Sequence, residues 1–93
     1  MISPKIINIR KKLDAVDFKL LLIIKQRTNL VAQVIKLKKN KKEIIDKKRI
    51  NHILRQIRAK SIKLKIDPAI TQSIWKEMIK SFIRYEYKNL KKK

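Results

Sequence analysis

The chain has 93 residues, the length of one small domain, and its 27 Lys and Arg residues against 7 Asp and Glu residues give a formal net charge of +20. It contains no Gly and no Cys, which excludes a Rossmann fingerprint, a P-loop, a disulfide framework and a cysteine nucleophile, and argues strongly against an all-β fold. Apolar residues make up 44% of the chain, a share that is ordinary for a globular domain and too large for a disordered basic tail.

The first predicted helix covers roughly residues 4–39. Ser3 fits its N-cap and Pro4 its first helical position. Apolar residues recur there at alternating steps of three and four, the spacing of one helix face: Ile6, Ile9, Leu13, Val16, Leu20, Ile23, Leu30, Val34 and Leu37. At 1.5 Å per residue this helix is about 50 Å long, and its apolar face therefore needs partners from outside the helix.

Two shorter helices are predicted after a solvated, lysine-rich loop at residues 38–42. The second runs from about Ile45 to Ser61 or Leu64, and the third from Pro68 to about Asn89 with Asp67 as its N-cap. The predicted apolar face of the second helix consists of Ile50, Ile53, Leu54, Ile57 and Leu64. The third helix carries two neighbouring stripes, Ile70, Ile74, Met78 and Tyr85, and Trp75, Ile79, Phe82 and Glu86. The sequence thus predicts an all-α fold of three helices, in one domain over residues 1–93.

A cation interrupts the apolar stripe of the first helix at Arg27. It either pairs with an acid or reaches water along its stem, or it faces a cavity and grips an anion with its guanidinium fork. Lys38 lies three turns further on, about 16 Å along the axis and on nearly the same face, so the two side chains could clasp one small anion. Arg10 is about 25 Å from Arg27 along the helix, too far to share that anion within one chain. Antiparallel pairing of two copies of the helix would bring Arg10 of one chain to Arg27 of the other.

Polar residues also occur at informative positions in the two shorter helices. Asp46 and Arg49 are spaced i, i+3 and are expected on one helix face, where a surface ion pair would be the simplest role. Glu86 ends an apolar stripe, so it is either exposed near the helix terminus or buried with a cation. His52 is the only histidine, which rules out a metal site with two His ligands.

These residues together resemble the all-helical class of chorismate mutases, whose known fold is an intertwined dimer of three-helix chains. Residues 9–17, Ile-Arg-Lys-Lys-Leu-Asp-Ala-Val-Asp, are similar to the opening LR-x-x-I-D-x-(I/L)-D signature of that family. Arg27 matches its L-x-x-R motif, Lys38 its V-x-x-x-K motif, and residues 46–49 its D-x-x-R motif. Residues 74–79 resemble the (I/V)-(F/W)-x-x-(I/L)-I of the last helix, and the similarity covers about residues 5–90.

The resemblance implies an isomerase of the shikimate pathway, in aromatic amino acid biosynthesis, that rearranges chorismate to prephenate. The reaction is pericyclic and needs no nucleophile, cofactor or general base, and the resemblance implies no metal site. Catalysis would consist of holding the reactive conformer and stabilising charge on the ether oxygen. The substrate-binding residues that the resemblance implies are Arg10, Arg27, Lys38, Asp46, Arg49, Phe82 and Glu86.

The resemblance also assigns roles within that set. Arg27, together with Arg10 supplied in trans by the second chain of a homodimer, would bind the two carboxylates of chorismate. Lys38 and Glu86 would flank the ether oxygen, so that Lys38, Glu86 and Arg27 form the catalytic group. Glu86 stands where the usual residue is Gln. It must carry a proton to donate a hydrogen bond to the ether oxygen, and we expect activity to fall as pH rises.

Two other positions depart from the family pattern and leave a second activity open. Asp46 and Arg49 would line the ring side of the substrate, but Ile50 stands where the family often has Glu. Phe82 replaces a small polar residue. The loss of both polar groups is reminiscent of the isochorismate pyruvate-lyases of the same fold, although those lack an equivalent of Asp46.

The net charge supports a further alternative, a basic helical nucleic-acid-binding protein. Lysine contributes 21 of the 27 basic residues and arginine only 6, which weighs against nucleic acid because Arg is preferred for bidentate phosphate recognition. A coiled-coil module without a ligand is also compatible with the long first helix. No segment approaches 18 uncharged apolar residues, so we expect no membrane partner and a cytoplasmic location.

Overall fold

A computed structural model describes residues 2–90, which form three α-helices and one short 3₁₀ turn without any strand in that range. Helix α1 is Pro4–Leu37, helix α2 is Lys47–Lys63 and helix α3 is Pro68–Asn89. The 3₁₀ turn, Lys41–Glu43, lies between α1 and α2. The prediction of an all-α chain with one long and two shorter helices is confirmed, and the helix ends agree with the sequence analysis to within about two residues.

Helix α1 begins as its sequence predicts. The Ser3 hydroxyl oxygen accepts the backbone N–H of Ile6 at 3.3 Å, and the Ser3 carbonyl oxygen accepts that of Ile7 at 3.1 Å. At the other end, the N–H of Lys38 donates to the carbonyl oxygens of Val34 and Ile35, both at 3.2 Å. Lys38 is therefore the residue that closes the last turn of α1.

The chain divides into two compact units, one that ends at Val31 and one that begins at Ala32. In the first unit every residue from Ile2 to Gln26 is exposed. The exposed large apolar residues of this unit are Ile2, Ile6, Ile7, Ile9, Leu13, Val16, Phe18, Leu20, Leu21, Leu22, Ile23, Ile24 and Leu30.

The second unit has its own core, in which α2 packs against α3. Its buried apolar residues are Ile35, Ile44, Ile79 and Leu90. On α2 the predicted apolar face is half-buried at Ile50, Ile53, Leu54 and Ile57, but Leu64 caps the helix and is 69% exposed. On α3 the more buried of the two predicted stripes is the one with Trp75, Ile79, Phe82 and Glu86.

Hydrogen bonds from side chains join α2 to α3, one between two hydroxyl groups and one from an amide to a backbone carbonyl oxygen. The buried Ser61 hydroxyl lies 2.6 Å from the Thr71 hydroxyl and donates to the carbonyl oxygen of Ile57 at 2.6 Å. The Gln72 amide donates to the carbonyl oxygen of Leu54 at 2.9 Å. These bonds satisfy polar groups that would otherwise be costly to bury.

The turn between α2 and α3 is closed without glycine. Lys65 adopts a left-handed conformation with φ of 59°, and its N–H donates to the carbonyl oxygen of Ile62 at 3.1 Å. The N–H of Ile66 reaches the carbonyl oxygen of Ser61 at 2.8 Å, which completes a Schellman motif. Asp67 then accepts the N–H of Ala69 at 2.9 Å, so it is the N-cap of α3 as predicted.

Candidate functional site

The central feature of the second unit is a half-buried ion pair between Lys38 and Glu86. The Lys38 Nζ donates to the Glu86 Oε1 at 2.7 Å, and the two side chains are 19% and 10% exposed. The pair joins residues 48 positions apart in sequence. The sequence allowed Glu86 to be either exposed or buried with a cation, and the structure shows the second arrangement.

The helices explain why these two groups meet. Glu86 follows Ile79 and Phe82 on the buried stripe of α3, so its carboxylate points toward the interior of the second unit. Lys38 directly follows the last residue of α1, and Ile35, three positions earlier, is buried in the same unit. The ammonium group thus provides the hydrogen-bond donor that a buried carboxylate requires.

Asp46 performs a local structural task at the start of α2. Its Oδ1 accepts the backbone N–H of Arg49 at 3.0 Å, which makes Asp46 the N-cap of the helix. The expectation that Asp46 and Arg49 share a face within the second helix is therefore corrected, because Asp46 precedes the helix. Both residues are exposed.

An open cavity of about 540 Å³ adjoins this N-cap. Lys38 and Asp46 both line it, with Lys42, Glu43, Ile45, Lys47 and Lys48 as the remaining lining residues. Two of the residues singled out in the sequence thus face one cavity. Phe82 does not line this cavity, and its ring packs edge-to-face against Tyr85 at a centroid distance of 6.3 Å.

Residues 38–42, predicted to form a solvated loop, instead lead into a capping box formed by Asn40 and Glu43, which the sequence-based prediction did not include. Asn40 Oδ1 accepts the N–H of Lys42 at 2.9 Å. The Glu43 carboxylate accepts the N–H of Asn40 at 3.1 Å and also that of Lys39. The signal was present in the sequence as Asn-x-x-Glu, a spacing typical of this motif.

The electrostatic consequence is a lowered pKa for the Glu43 carboxyl group. The hydrogen bonds from the N–H groups of Lys39 and Asn40 are the main causes, and the positive charges of Lys39 and Lys38 add to them. Glu43 thus remains ionised at neutral pH while it holds the loop.

Two further predicted site residues belong to the first unit. Arg10 is exposed on α1. Arg27 is half-buried, and its Nη1 atom is shielded from solvent. Arg27 therefore differs from the exposed residues that precede it on the helix, which fits the special position it holds in the apolar stripe.

The chemistry available in the second unit is that of fixed charges and hydrogen-bond donors. Among residues 2–90 there is no group of three His, Asp or Glu side chains that could hold a metal ion. Within the same range, no helix combines the length and the apolar character needed to cross a membrane. Lys38 and Glu86 together can offer one cationic donor and, when Glu86 is protonated, one neutral donor to an oxygen atom.

Comparison with known proteins adds one finding. Residues 9–87 match the family model described as chorismate mutase type II. Neither a curated protein nor a solved structure matches the chain. The match spans most of the chain and includes every residue of the set that the resemblance implied.

Proposed function

The chain belongs to the chorismate mutase type II family, and on that premise we propose that it catalyses the rearrangement of chorismate to prephenate. The observation that carries the proposal is the pair formed by Lys38 and Glu86, a cationic donor and a carboxyl group held together in a half-buried position. Such a reaction would place the chain in aromatic amino acid biosynthesis.

The proposed mechanism is electrostatic and conformational. In one intramolecular step the ether C–O bond of chorismate breaks and a C–C bond forms, so no nucleophile or external proton is consumed. Negative charge develops on the ether oxygen in the transition state. The Lys38 ammonium group and a protonated Glu86 would each donate a hydrogen bond to that oxygen.

Substrate binding requires the Lys38–Glu86 contact to be exchanged for contacts with the ether oxygen. The ion pair of 2.7 Å holds the two groups next to each other, so both already occupy a common place. Donors that need little rearrangement stabilise a transition state more effectively than donors that must be assembled. The Lys38–Glu86 pair therefore favours catalysis by preorganisation.

Arg27 and Arg10 would hold the two carboxylates of the substrate, with Arg10 provided by the second chain of a homodimer. The exposed apolar stripe of α1 supports this part of the proposal, because it offers a long surface for a second copy of the helix. Asp46 and Arg49 would bind the ring side of chorismate. Asp46 lines the same cavity as Lys38, which is consistent with that role.

The lyase alternative rests on the apolar residues Ile50 and Phe82, both of which are half-buried. Chorismate and isochorismate should therefore be assayed separately with the purified protein, and prephenate, salicylate and pyruvate resolved. We expect prephenate from chorismate as the main product. Salicylate plus pyruvate from isochorismate as the main activity would assign the chain to the lyases instead. Absence of both activities would lead to a titration with duplex DNA against salt.

A matched pair of substitutions on α1 tests the binding role of Arg27. We expect Arg27→Ala to lower kcat/KM by about 10²- to 10³-fold, the usual effect of removing one fixed charge donor from such a site. Lys25→Ala removes an exposed cation two residues away and should leave kcat/KM within about twofold of the unmodified protein. Equal losses in the two variants would contradict a specific role for Arg27.

A further inference from the structure

The backbone on either side of Lys38 is held by hydrogen bonds. Before it, the N–H of Lys38 itself donates to the carbonyl oxygens of Val34 and Ile35 at 3.2 Å. After it, the N–H groups of Lys39 and Asn40 both donate to the carboxylate of Glu43. Lys38 therefore lies between the last turn of α1 and a loop closed by one glutamate.

Glycine would normally end a helix such as α1, but the chain has none. The loop instead depends on side-chain acceptors, Asn40 for the N–H of Lys42 and Glu43 for the two N–H groups next to Lys38. Because the Glu43 side chain is ionised, its two hydrogen bonds are of the stronger, charge-assisted kind. The path of the backbone after Lys38 is thus set by Glu43.

We propose that Glu43 is a positioning residue for Lys38, which keeps the ammonium group in place beside Glu86 for catalysis. The inference rests on the proposed function, since it takes Lys38 to contact the substrate. Glu43 itself would touch no reacting atom. Its effect arises because an error of about 1 Å in the position of a catalytic group can reduce the rate by about 10²-fold.

Steady-state kinetics of two variants distinguish positioning from simple loss of charge. Glu43→Ala removes the acceptor and should lower kcat about tenfold with a smaller change in KM. Glu43→Gln removes the charge but retains a carbonyl oxygen that can accept both N–H groups, so it should remain within about threefold of the unmodified protein. Equal losses in the Ala and Gln variants would overturn the proposal.

Glu77 on α3 provides the matched control. Its side chain is 71% exposed and its carboxylate contacts Lys80 of the same helix at 3.5 Å. Glu77→Ala removes the same charge as Glu43→Ala and should leave kcat unchanged. A loss in Glu77→Ala as large as that in Glu43→Ala would show that net charge, rather than the loop, controls the rate.

A double-mutant cycle in urea gives a readout that does not depend on activity. Lys38→Met should shift the unfolding midpoint less in the Glu43→Ala background than in the unmodified protein, because the Lys38–Glu86 pair is already loosened. In the Glu43→Gln background Lys38→Met should shift the unfolding midpoint nearly as much as in the unmodified protein. Because Gln keeps the acceptor but not the charge, this result separates positioning from direct attraction between the charges of Glu43 and Lys38. Equal shifts in the unmodified and Glu43→Ala backgrounds would overturn the positioning of Lys38. If the protein lacks mutase activity, the proposed catalytic role of Lys38 is overturned. The double-mutant cycle would then still decide whether Glu43 positions Lys38 beside Glu86.

Discussion

The two units of this chain use apolar residues in opposite ways. In the unit that begins at Ala32, α2 and α3 pack together and bury Ile44, Ile79 and Leu90. Among the described residues of the unit that ends at Val31, none is buried, and leucine and isoleucine side chains of α1 remain about half exposed. Over residues 2–31 the first unit is therefore regular in secondary structure and yet has no core of its own.

The contrast separates two properties that a helical sequence can encode. Hydrophobic periodicity determines that α1 is a helix and which of its faces is apolar, but it does not supply the surface against which that face packs. The α2–α3 pair carries both properties within residues 47–89. The polar groups follow the same division, since the buried Glu86 has its partner Lys38 within the second unit.

The largest effect is expected from placing a charge on the apolar face of α1. Leu20 is 51% exposed on α1 and Ile62 is 56% exposed on α2, so the two side chains have similar solvent exposure within one chain. If a second copy covers α1, Leu20→Lys should convert a dimer to monomers, because burial of each leucine contributes about 1.5–3 kcal/mol and a twofold interface contains it twice. Ile62→Lys should leave the dimer intact.

Sedimentation velocity over a range of protein concentrations measures the outcome. The same oligomeric state in both variants would show that the apolar residues of the two units do not differ in their role in dimer formation. If the unmodified protein is monomeric at every concentration, the expected dimer is also ruled out, since the apolar face of α1 would then have no second copy as its partner.

The next effect concerns Glu86, the one buried acid of the second unit in the described part of the chain. Its proposed donation to the ether oxygen requires a proton, which an ionised carboxylate lacks, so kcat/KM should be lower at high pH than at low pH. Gln donates at every pH, so Glu86→Gln should show a flat profile from about pH 5 to about pH 8. A flat profile in the unmodified protein over the same range would remove the proposed role of Glu86.

Much of the fold followed from the sequence because the decisive signals are local. The apolar spacing predicted the extent of α1, and Asp67 with Pro68 predicted the start of α3. The loop before α2 was less predictable, since a lysine-rich stretch masked the Asn40–Glu43 capping box. The conformation of Lys65 could not be foreseen, because a lysine rarely adopts positive φ and only the closed turn requires it.

The sequence indicated which residues belong to the candidate site, but it was less informative about how those residues are arranged in space. Arg27 and Glu86 drew attention because each places a charge in an apolar stripe. The contact between Lys38 and Glu86 joins the end of α1 to the last turns of α3, a long-range relation that no local spacing encodes. Asp46 was assigned a place inside α2, but its short carboxylate competes for the backbone N–H of Arg49 and caps the helix instead.

A smaller effect should come from the turn that joins α2 to α3. Lys65 adopts a φ of 59°, which places its Cβ in an unfavourable contact that glycine avoids. Lys65→Gly should therefore raise the free energy of unfolding by about 0.5–1 kcal/mol, although the greater freedom of glycine in the unfolded chain offsets part of the gain. Urea unfolding measures the change, and Lys63→Gly, in the last turn of α2, should shift stability in the opposite direction. Destabilisation by Lys65→Gly would show that the turn does not strain the second unit.

The smallest effect concerns the pH dependence of the loop between α1 and α2. The folded pKa of Glu43 is lowered by the N–H groups of Lys39 and Asn40, so its contribution to stability is present above the unfolded pKa and is lost as pH falls through the folded value. The stability difference between the unmodified protein and Glu43→Gln should therefore shift against the unmodified protein as pH is lowered from about 7 to about 3, and added salt should reduce the shift because the carboxylate is exposed. Urea midpoints at the two pH values test this, with Glu77→Gln as the variant in which the difference should remain nearly constant. A shift in favour of the unmodified protein on acidification would mean that the Glu43 carboxylate is not the acceptor that closes the loop.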